Sequence, residues 1–266
     1  MATATVSALL RANQAYYAQL SETCSLEHWG IAFSAKGREQ ATVAEANQFR
    51  EVIIEDGSEF ERVFSAVETY FGELGLSCFI WAPAADADDD ALAEFLGRRG
   101  FRRREMLAMT VREWVDSDVD AGVRLLPARA MRRGLQVVHE ERFAAAGTKQ
   151  RNNLIGAVIE RLNDPRMDAF VAVVEDKPAG YGALFQIGDV GRICDVYITP
   201  EFRRRGVGRA LVGQMLRLAR RLCLRAVCAP VESYNAAGLA LYGSSGLVPD
   251  GSVVEFVAAD CGALHP

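Results

Sequence analysis

The chain has 266 residues, half of them apolar, with three histidines, six cysteines and a formal net charge of −5. That length favours a two-domain layout, and the apolar share suits a well-cored globule rather than a disordered chain. No run of about 18 apolar residues occurs, which argues against a membrane-spanning helix. The few unpaired histidines and the absence of C-x-x-C pairs argue against a metal site. The first twenty residues lack the basic start and long apolar core of a secretion signal. The cysteines (24, 78, 194, 223, 228 and 261) are therefore expected as reduced, mostly buried thiols of a cytoplasmic protein. Charge divides unevenly: residues 1–121 hold 21 acidic against 11 basic side chains, and residues 122–266 hold 14 against 19. The basic half suits a polyanionic ligand. Its arginine run has no interleaved aromatics, which argues against nucleic acid as that ligand.

In chain order, the first half opens with a predicted helix over Val6–Leu20, followed by an irregular stretch through Trp29 and Phe33. Gln48–Ile54 reads as a strand. Phe60, Val63, Phe64, Val67, Phe71 and Leu74 fall at helical spacing and predict a helix closing at Gly75. Leu76–Trp81 is a short strand, Ala91–Arg99 a helix ending at Gly100, and Met106–Val111 a last strand. Residues 114–121 (WVDSDVDA) are polar and acidic and read as a linker.

The second half begins with a strand at Val123–Leu126 and helices at Ala128–Phe143 and Arg151–Leu162, the latter stopped by Asn163-Asp164-Pro165. Strands follow at Ala169–Val174, Gly180–Gln186 and Arg192–Ile198, with turns at Asp176-Lys177-Pro178 and Gly188-Asp189. Thr199-Pro200-Glu201 ends the third strand, because proline cannot donate to a ladder. Val207, Leu211, Met215, Leu218 and Leu222 then mark a helix with one apolar stripe. Between strand and helix stand Arg203-Arg204-Arg205-Gly206-Val207-Gly208. A glycine-rich turn opening a helix offers unpaired N–H groups and the positive end of the helix dipole, so this turn reads as a phosphate cradle. The Walker pattern is absent, and the dinucleotide fingerprint fails at Leu211. A strand at Arg225–Pro230, a helix after Asn235 and a strand at Ser252–Val257 complete the chain, with 259–266 as a tail. Asn235 and Tyr242 are separated by almost two helical turns and share one face, roughly 10 Å apart along the axis.

The pattern [Q/R]-x-x-G-x-[G/A], carried by Arg203, Gly206 and Gly208, resembles the pyrophosphate loop of the GCN5-related N-acetyltransferases, the GNAT family. Asn235, Tyr242 and the closing Gly246-Leu247 resemble that family's second motif, in family order and with a strand between. The resemblance covers residues 122–258 and implies an α/β mixed sheet with the GNAT fold. It also implies an N-acetyltransferase that moves the acetyl group of acetyl-CoA to a primary amine by direct attack. By the same resemblance Val196, Tyr197 and Ile198 lie along the pantetheine arm, and Arg203, Arg204, Arg205, Gly206, Val207, Gly208, Arg209 and Ala210 hold the pyrophosphate. Asn235 bonds the arm, and Tyr242 is the general acid at the thioester sulfur. Glu232 follows the fifth strand two positions later than the glutamate of some relatives, and is a candidate base or a solvated loop carboxylate. Asp195, Glu140, Glu141 and His139 could also touch an amine, and Cys194 is the least supported alternative, as an acetyl carrier.

Phe95-Leu96-Gly97-Arg98-Arg99-Gly100-Phe101 resembles the close of another GNAT unit, but Asp56-Gly57-Ser58-Glu59 stands where its cofactor loop would be, and those acids would repel a pyrophosphate. Residues 1–113 therefore read as a degenerate GNAT-like domain without a cofactor, and the whole as two tandem units, an unrelated α/β cap being the alternative for the first. The acceptor amine is expected to be a small molecule. A protein N-terminus or lysine drawn by the acidic first half, or a catalytically silent CoA-binding regulatory module, are the alternatives.

Overall fold

The computed structural model describes residues 3–54, 56–85, 87, 89–114 and 122–259. Most of the expected linker, the tail beyond residue 259 and Cys261 lie outside them. The first half contributes α1 (Ala4–Tyr17), β1 (Ser21–Leu26), β2 (Gly30–Ala35), β3 (Gln48–Val52), α2 (Phe60–Glu73), β4 (Ile80–Pro83), α3 (Asp90–Gly97) and β5 (Phe101–Val111). The second contributes β6 (Val123–Pro127), α4 (Arg132–Arg142), α5 (Thr148–Arg161), β7 (Met167–Val174), β8 (Lys177–Ile187), β9 (Val190–Ile198), α6 (Val207–Arg221), β10 (Ala226–Glu232), α7 (Ala236–Ser244) and β11 (Leu247–Ala258).

Local chemistry accounts for most boundaries. The Thr3 hydroxyl caps α1 by accepting from the Val6 N–H at 3.1 Å. The helix stops at Tyr17, three residues before the predicted end, and Lys36 Nζ donates to the carbonyls of Ala18 and Gln19 just beyond it. The stretch read as irregular is the hairpin β1–β2. β1 is an edge strand with polar residues facing solvent, so it shows no apolar alternation. The first helix of the second half is shorter than predicted, because a 3₁₀ turn occupies Ala128–Ala130.

All eleven strands form one sheet in the order β1-β2-β3-β4-β11-β5-β10-β9-β8-β7-β6. Pairs β3·β4 and β9·β10 are parallel and the rest antiparallel. Neither half closes its own sheet. The last strand of the first half, β5, enters between β10 and β11, while the last strand of the second, β11, reaches β4. β5 and β11 pair along almost their whole length, from Leu247↔Val111 to Ala258↔Phe101, with one irregularity between Pro249 and Ser252. This exchange puts an unbroken ladder at the centre of the molecule.

One face of the second half's sheet is covered by α6 and α7, whose Val207, Leu211, Met215 and Tyr242 pack with Leu184, Ile193 and Val231. The other carries α4 and α5, together with Tyr16, Tyr17 and Leu20 at the end of α1. Earlier on α1, Val6, Leu9 and Ala12 pack on Ala108, Cys228 and Val253, so the first helix of the chain lies across β5, β10 and β11. In the first half, Trp81 stacks on Phe64 at 5.6 Å and meets Phe49 edge-on at 5.0 Å.

Candidate active site

The predicted cradle forms the entry to α6. Arg204 and Gly206 both take left-handed φ, at 64° and 80°, and Gly206 is the N-cap residue. Only glycine adopts that conformation without cost, which explains Gly206; Arg204 carries the strain. Among the described residues the amides of Arg204 through Arg209 donate to no backbone carbonyl, and the helical ladder resumes with Ala210 N–H to Gly206. These N–H groups open the helix, where its dipole is positive. A Cβ on Gly208 would sit 3.1 Å from the Leu241 side chain, so this glycine lets α7 approach α6 closely. Arg203 Nε donates to the Ile198 carbonyl at 3.2 Å, and Arg205 pairs with Glu175, leaving Arg204 and Arg209 exposed beside the turn.

Ahead of the cradle, β9 and β10 separate. Their pairing runs from Ala226↔Val190 to Cys228↔Arg192 and stops. The register of β8 on β9 shifts between Tyr181 and Ala183, and Asp195 takes a φ of 57° there. This is a bulge, which bends the strand and re-aims a side chain. The opening is a cavity of about 120 Å³ lined on one side by Cys194, Asp195 and Val196 and on the other by Pro230, Val231 and Glu232. Asn235 and Tyr242 reach the same cavity. Asn235 caps α7, its Oδ1 accepting from Gly238 N–H at 2.8 Å. The Tyr242 hydroxyl makes no hydrogen bond among the described residues, and burial holds it protonated well above the ordinary tyrosine range.

The cleft's far wall comes from the first half and from Arg142 on α4, with Arg161 of α5 behind it. Tyr16 Oη donates to Asp195 Oδ2 at 2.5 Å, and Arg142 Nη1 pairs with Asp195 Oδ1 at 3.1 Å. Burial by itself would raise the Asp195 carboxyl, but the charges of Arg142 and Arg161 and the Tyr16 hydrogen bond hold it well below the usual range. Arg104 on β5 bridges Glu232 (3.3 Å) and Glu255 (2.6 Å), and Arg50 on β3 also pairs with Glu255 at 2.9 Å. Burial acts to raise the Glu255 carboxyl, but the two arginines win and draw it down to about 2. Glu45 pairs with Arg161 at 2.7 Å. Arg192 Nε donates to Asn13 Oδ1 at 2.6 Å, with its guanidinium over the Tyr16 ring.

The second motif thus reaches the cleft and the first lies beside it through the Gly208–Leu241 approach, and residues 131–247 match the Acetyltransferase (GNAT) family. Residues 131–247 are a GNAT acetyltransferase domain. In fold, the chain is similar to a conserved protein of unknown function from Staphylococcus epidermidis, with TM-score 0.68, 16% identity, and 90% of this chain and 94% of that one covered. It is also similar to a GCN5-related N-acetyltransferase from Kribbella flavida, with TM-score 0.66, 14% identity, and 97% and 96% covered. A tandem GNAT protein from the clavulanic acid biosynthesis pathway aligns with TM-score 0.51 and 17% identity over 82% and 75%. These likenesses establish the GNAT fold across most of the chain. No curated protein sequence matches it. No helix among the described residues is long and apolar enough to cross a membrane.

Within the GNAT domain the structure sorts the sequence candidates. Glu232 is not a loop carboxylate in solvent: it ends β10, is 7% exposed and faces the cleft beside Arg104. Glu140 and Glu141 are exposed and do not line the cavity. His139 is fully buried, stacked on Phe143 and edge-on to Tyr181 at 4.7 Å, and neither ring nitrogen has a hydrogen-bond partner among the described residues. Burial, with the Arg142 charge adding, pushes it down to about 3, so it stands neutral. Cys194 is buried and pushed up to about 12, mainly by desolvation, which leaves no thiolate to carry an acetyl group. The thiols are less uniformly buried than expected: Cys24 and Cys78 are half-buried and Cys223 is exposed.

Sequence reading missed Asn13, Tyr16, Arg142 and Arg192. A signal existed for Asn13, a polar residue on the same helical face as Leu9, Ala12 and Tyr16 and only 2% exposed. In the first half, the Asp56 carboxylate accepts from the Ser58 N–H at 2.9 Å in the turn ahead of α2.

Proposed function

We propose that the protein is an N-acetyltransferase that moves the acetyl group of acetyl-CoA to a primary amine of a small molecule. The observation that carries this reading is that α6, which opens on six uncommitted amides, meets α7 closely at Gly208 and Leu241, while Asn235 and Tyr242 of the α7 segment reach the cavity between β9 and β10. The cradle fits a pyrophosphate: its amides donate to no carbonyl among the described residues, and Arg204 and Arg209 supply charge. Acetyl-CoA would supply an activated acetyl group on a thioester.

The chain's own residues would then orient and balance the transfer. Backbone groups at Val196 and Tyr197, on the splayed end of β9, are placed to hold the pantetheine arm. A donor at the acetyl oxygen is worth about 3 kcal/mol in comparable sites. The amine nitrogen forms a bond to the acetyl carbon as the carbon–sulfur bond breaks. Tyr242, held protonated, is placed to give a proton to the leaving sulfur, and Glu232 to receive the one lost by the amine. The first half serves as a cofactor-free unit that supplies α1 and β5 to this site.

A thermal melt with and without acetyl-CoA tests the first step. Saturation at a hundred times the dissociation constant adds about 2.7 kcal/mol, a clear shift. The shift is expected in the native protein and absent in an Arg204→Glu/Gly206→Glu double variant, with amine-dependent thiol release in the native protein alone. No shift in the native protein would end the enzyme reading.

A further inference from the structure

Three arginines, Arg104, Arg142 and Arg192, line the cleft with four carboxylates, Glu45, Asp195, Glu232 and Glu255. Two more arginines behind it, Arg50 and Arg161, pair with Glu255 and Glu45. Of these five, Arg50, Arg104, Arg142 and Arg161 each have a carboxylate within 4 Å. Arg192 has none among the described residues, although it is only 5% exposed and lines the cavity. Its Nε is held by Asn13 and its face by the Tyr16 ring at 4.1 Å. Neither Nη group donates to a protein oxygen among the described residues; the polar groups around it are the Cys194 thiol, Tyr16, Tyr17 and, beyond ion-pair distance, Glu45. A buried cation without a counter-ion is costly unless it is paired or hydrogen-bonded, and such a group in a cleft is placed for a ligand.

We propose that the acceptor amine carries a carboxylate a few bonds from its nitrogen, and that Arg192 is the residue that receives this carboxylate. The inference rests on the N-acetyltransferase reading and names its substrate class. A guanidinium fork matches a carboxylate in two parallel hydrogen bonds, and Arg192 has its two Nη groups to offer. Tyr16 links the two ends of the site: its ring lies under Arg192 and its hydroxyl binds Asp195 at the bulge. Asn13 fixes the guanidinium through Nε and leaves the other edge for the ligand. The volume agrees. A cavity of about 120 Å³ is somewhat smaller than the roughly 150 Å³ that admits benzene, so it takes a fragment of about five or six heavy atoms. Glycine and β-alanine are of that size.

The test compares matched ligands that differ only in the carboxylate: glycine against methylamine, β-alanine against ethylamine, and 4-aminobutanoate against propylamine. Melts of the native protein are recorded with each, with and without coenzyme A, and acetylation is followed with acetyl-CoA. At least one acid is expected to raise the melting temperature and to be acetylated with a kcat/KM about ten- to a hundredfold above its partner, as suits a charge-assisted pair. Arg192→Lys and Arg192→Gln should raise KM for the acid, with the larger effect for Gln, and leave the acetyl-CoA shift in place. Equal responses to acid and amine, no response to either, or an unchanged preference in folded Arg192→Gln would overturn the proposal. The ligand melts in the native protein decide the matter even if the variants do not fold. Because they need no turnover, they also separate this failure from that of the acetyltransferase reading, which the acetyl-CoA shift reports.

Discussion

Tyr16, in the first helix of the chain, donates its hydroxyl to Asp195 at 2.5 Å, and Asp195 is the bulge residue of β9, three positions past its last pair with β10. The contact spans 179 residues of sequence. It fastens the amino-terminal half to the point where the GNAT cleft opens, and Arg142 completes the clamp from α4. Tyr16→Phe removes one hydrogen bond to a carboxylate that keeps its arginine, and should cost about 1.5–3 kcal/mol by denaturant titration. Asp195→Asn leaves Arg142 without its buried counter-ion and should cost about 3–5 kcal/mol. The order of the two losses is the check: a larger loss for Tyr16→Phe would contradict the clamp.

Tyr242→Phe tests the proton donor. The ring packs with Val207, Leu211 and Val231, and Phe retains that packing. Turnover should fall about 10²–10⁴-fold while the acetyl-CoA-induced melting shift stays the same. Unchanged turnover would remove Tyr242 from the chemistry.

His139 predicts a pH dependence. Its folded-state value is about 3, below the roughly 6.5 of an unfolded histidine, so the unfolded chain binds the extra proton between those limits. Its contribution to stability is complete above about pH 6.5 and declines as pH falls toward 3, with a limiting slope of about 1.4 kcal/mol per pH unit. His139→Phe should keep the stacked ring, end the burial of two unpartnered nitrogens, and flatten stability between about pH 6.5 and 4.5. A slope unchanged in the variant would assign the dependence elsewhere. Glu255, drawn down to about 2, adds a second loss of stability below about pH 4.3, where the unfolded carboxyl starts to take protons.

Gly206 holds the cradle open with a φ of 80°. Gly206→Ala should destabilise by about 1–2 kcal/mol, the cost of a Cβ in that conformation, and weaken acetyl-CoA binding as the turn relaxes. Isothermal titration on folded protein measures the second effect. Gly97→Ala, at a helical position where a Cβ meets nothing within 4 Å, is the control, and should be neutral or slightly stabilising.

Several features were legible in the sequence because they are local. The apolar stripe of α6, the glycines and arginines ahead of it, and the capping Asn235 with Tyr242 two turns on are set by neighbours a few residues apart, where helix period and turn chemistry decide. Those patterns located the turn ahead of α6 and the helix after Asn235, and the resemblance they carry implied the GNAT fold that the fold comparisons show. The polar hairpin β1–β2 was hidden because an edge strand facing water has no apolar alternation to read. What only the tertiary structure decided is long-range. The exchange of β5 and β11 depends on which backbone partner each strand finds, and an apolar strand pairs equally well with several. The left-handed Asp195, the packing of α1 across β5, β10 and β11 and the pairing of four arginines with four carboxylates all depend on side chains brought together from distant parts of the chain. Sequence supplies the charges. The fold alone leaves Arg192, held by Asn13, as the one of the five with no carboxylate within ion-pair distance among the described residues.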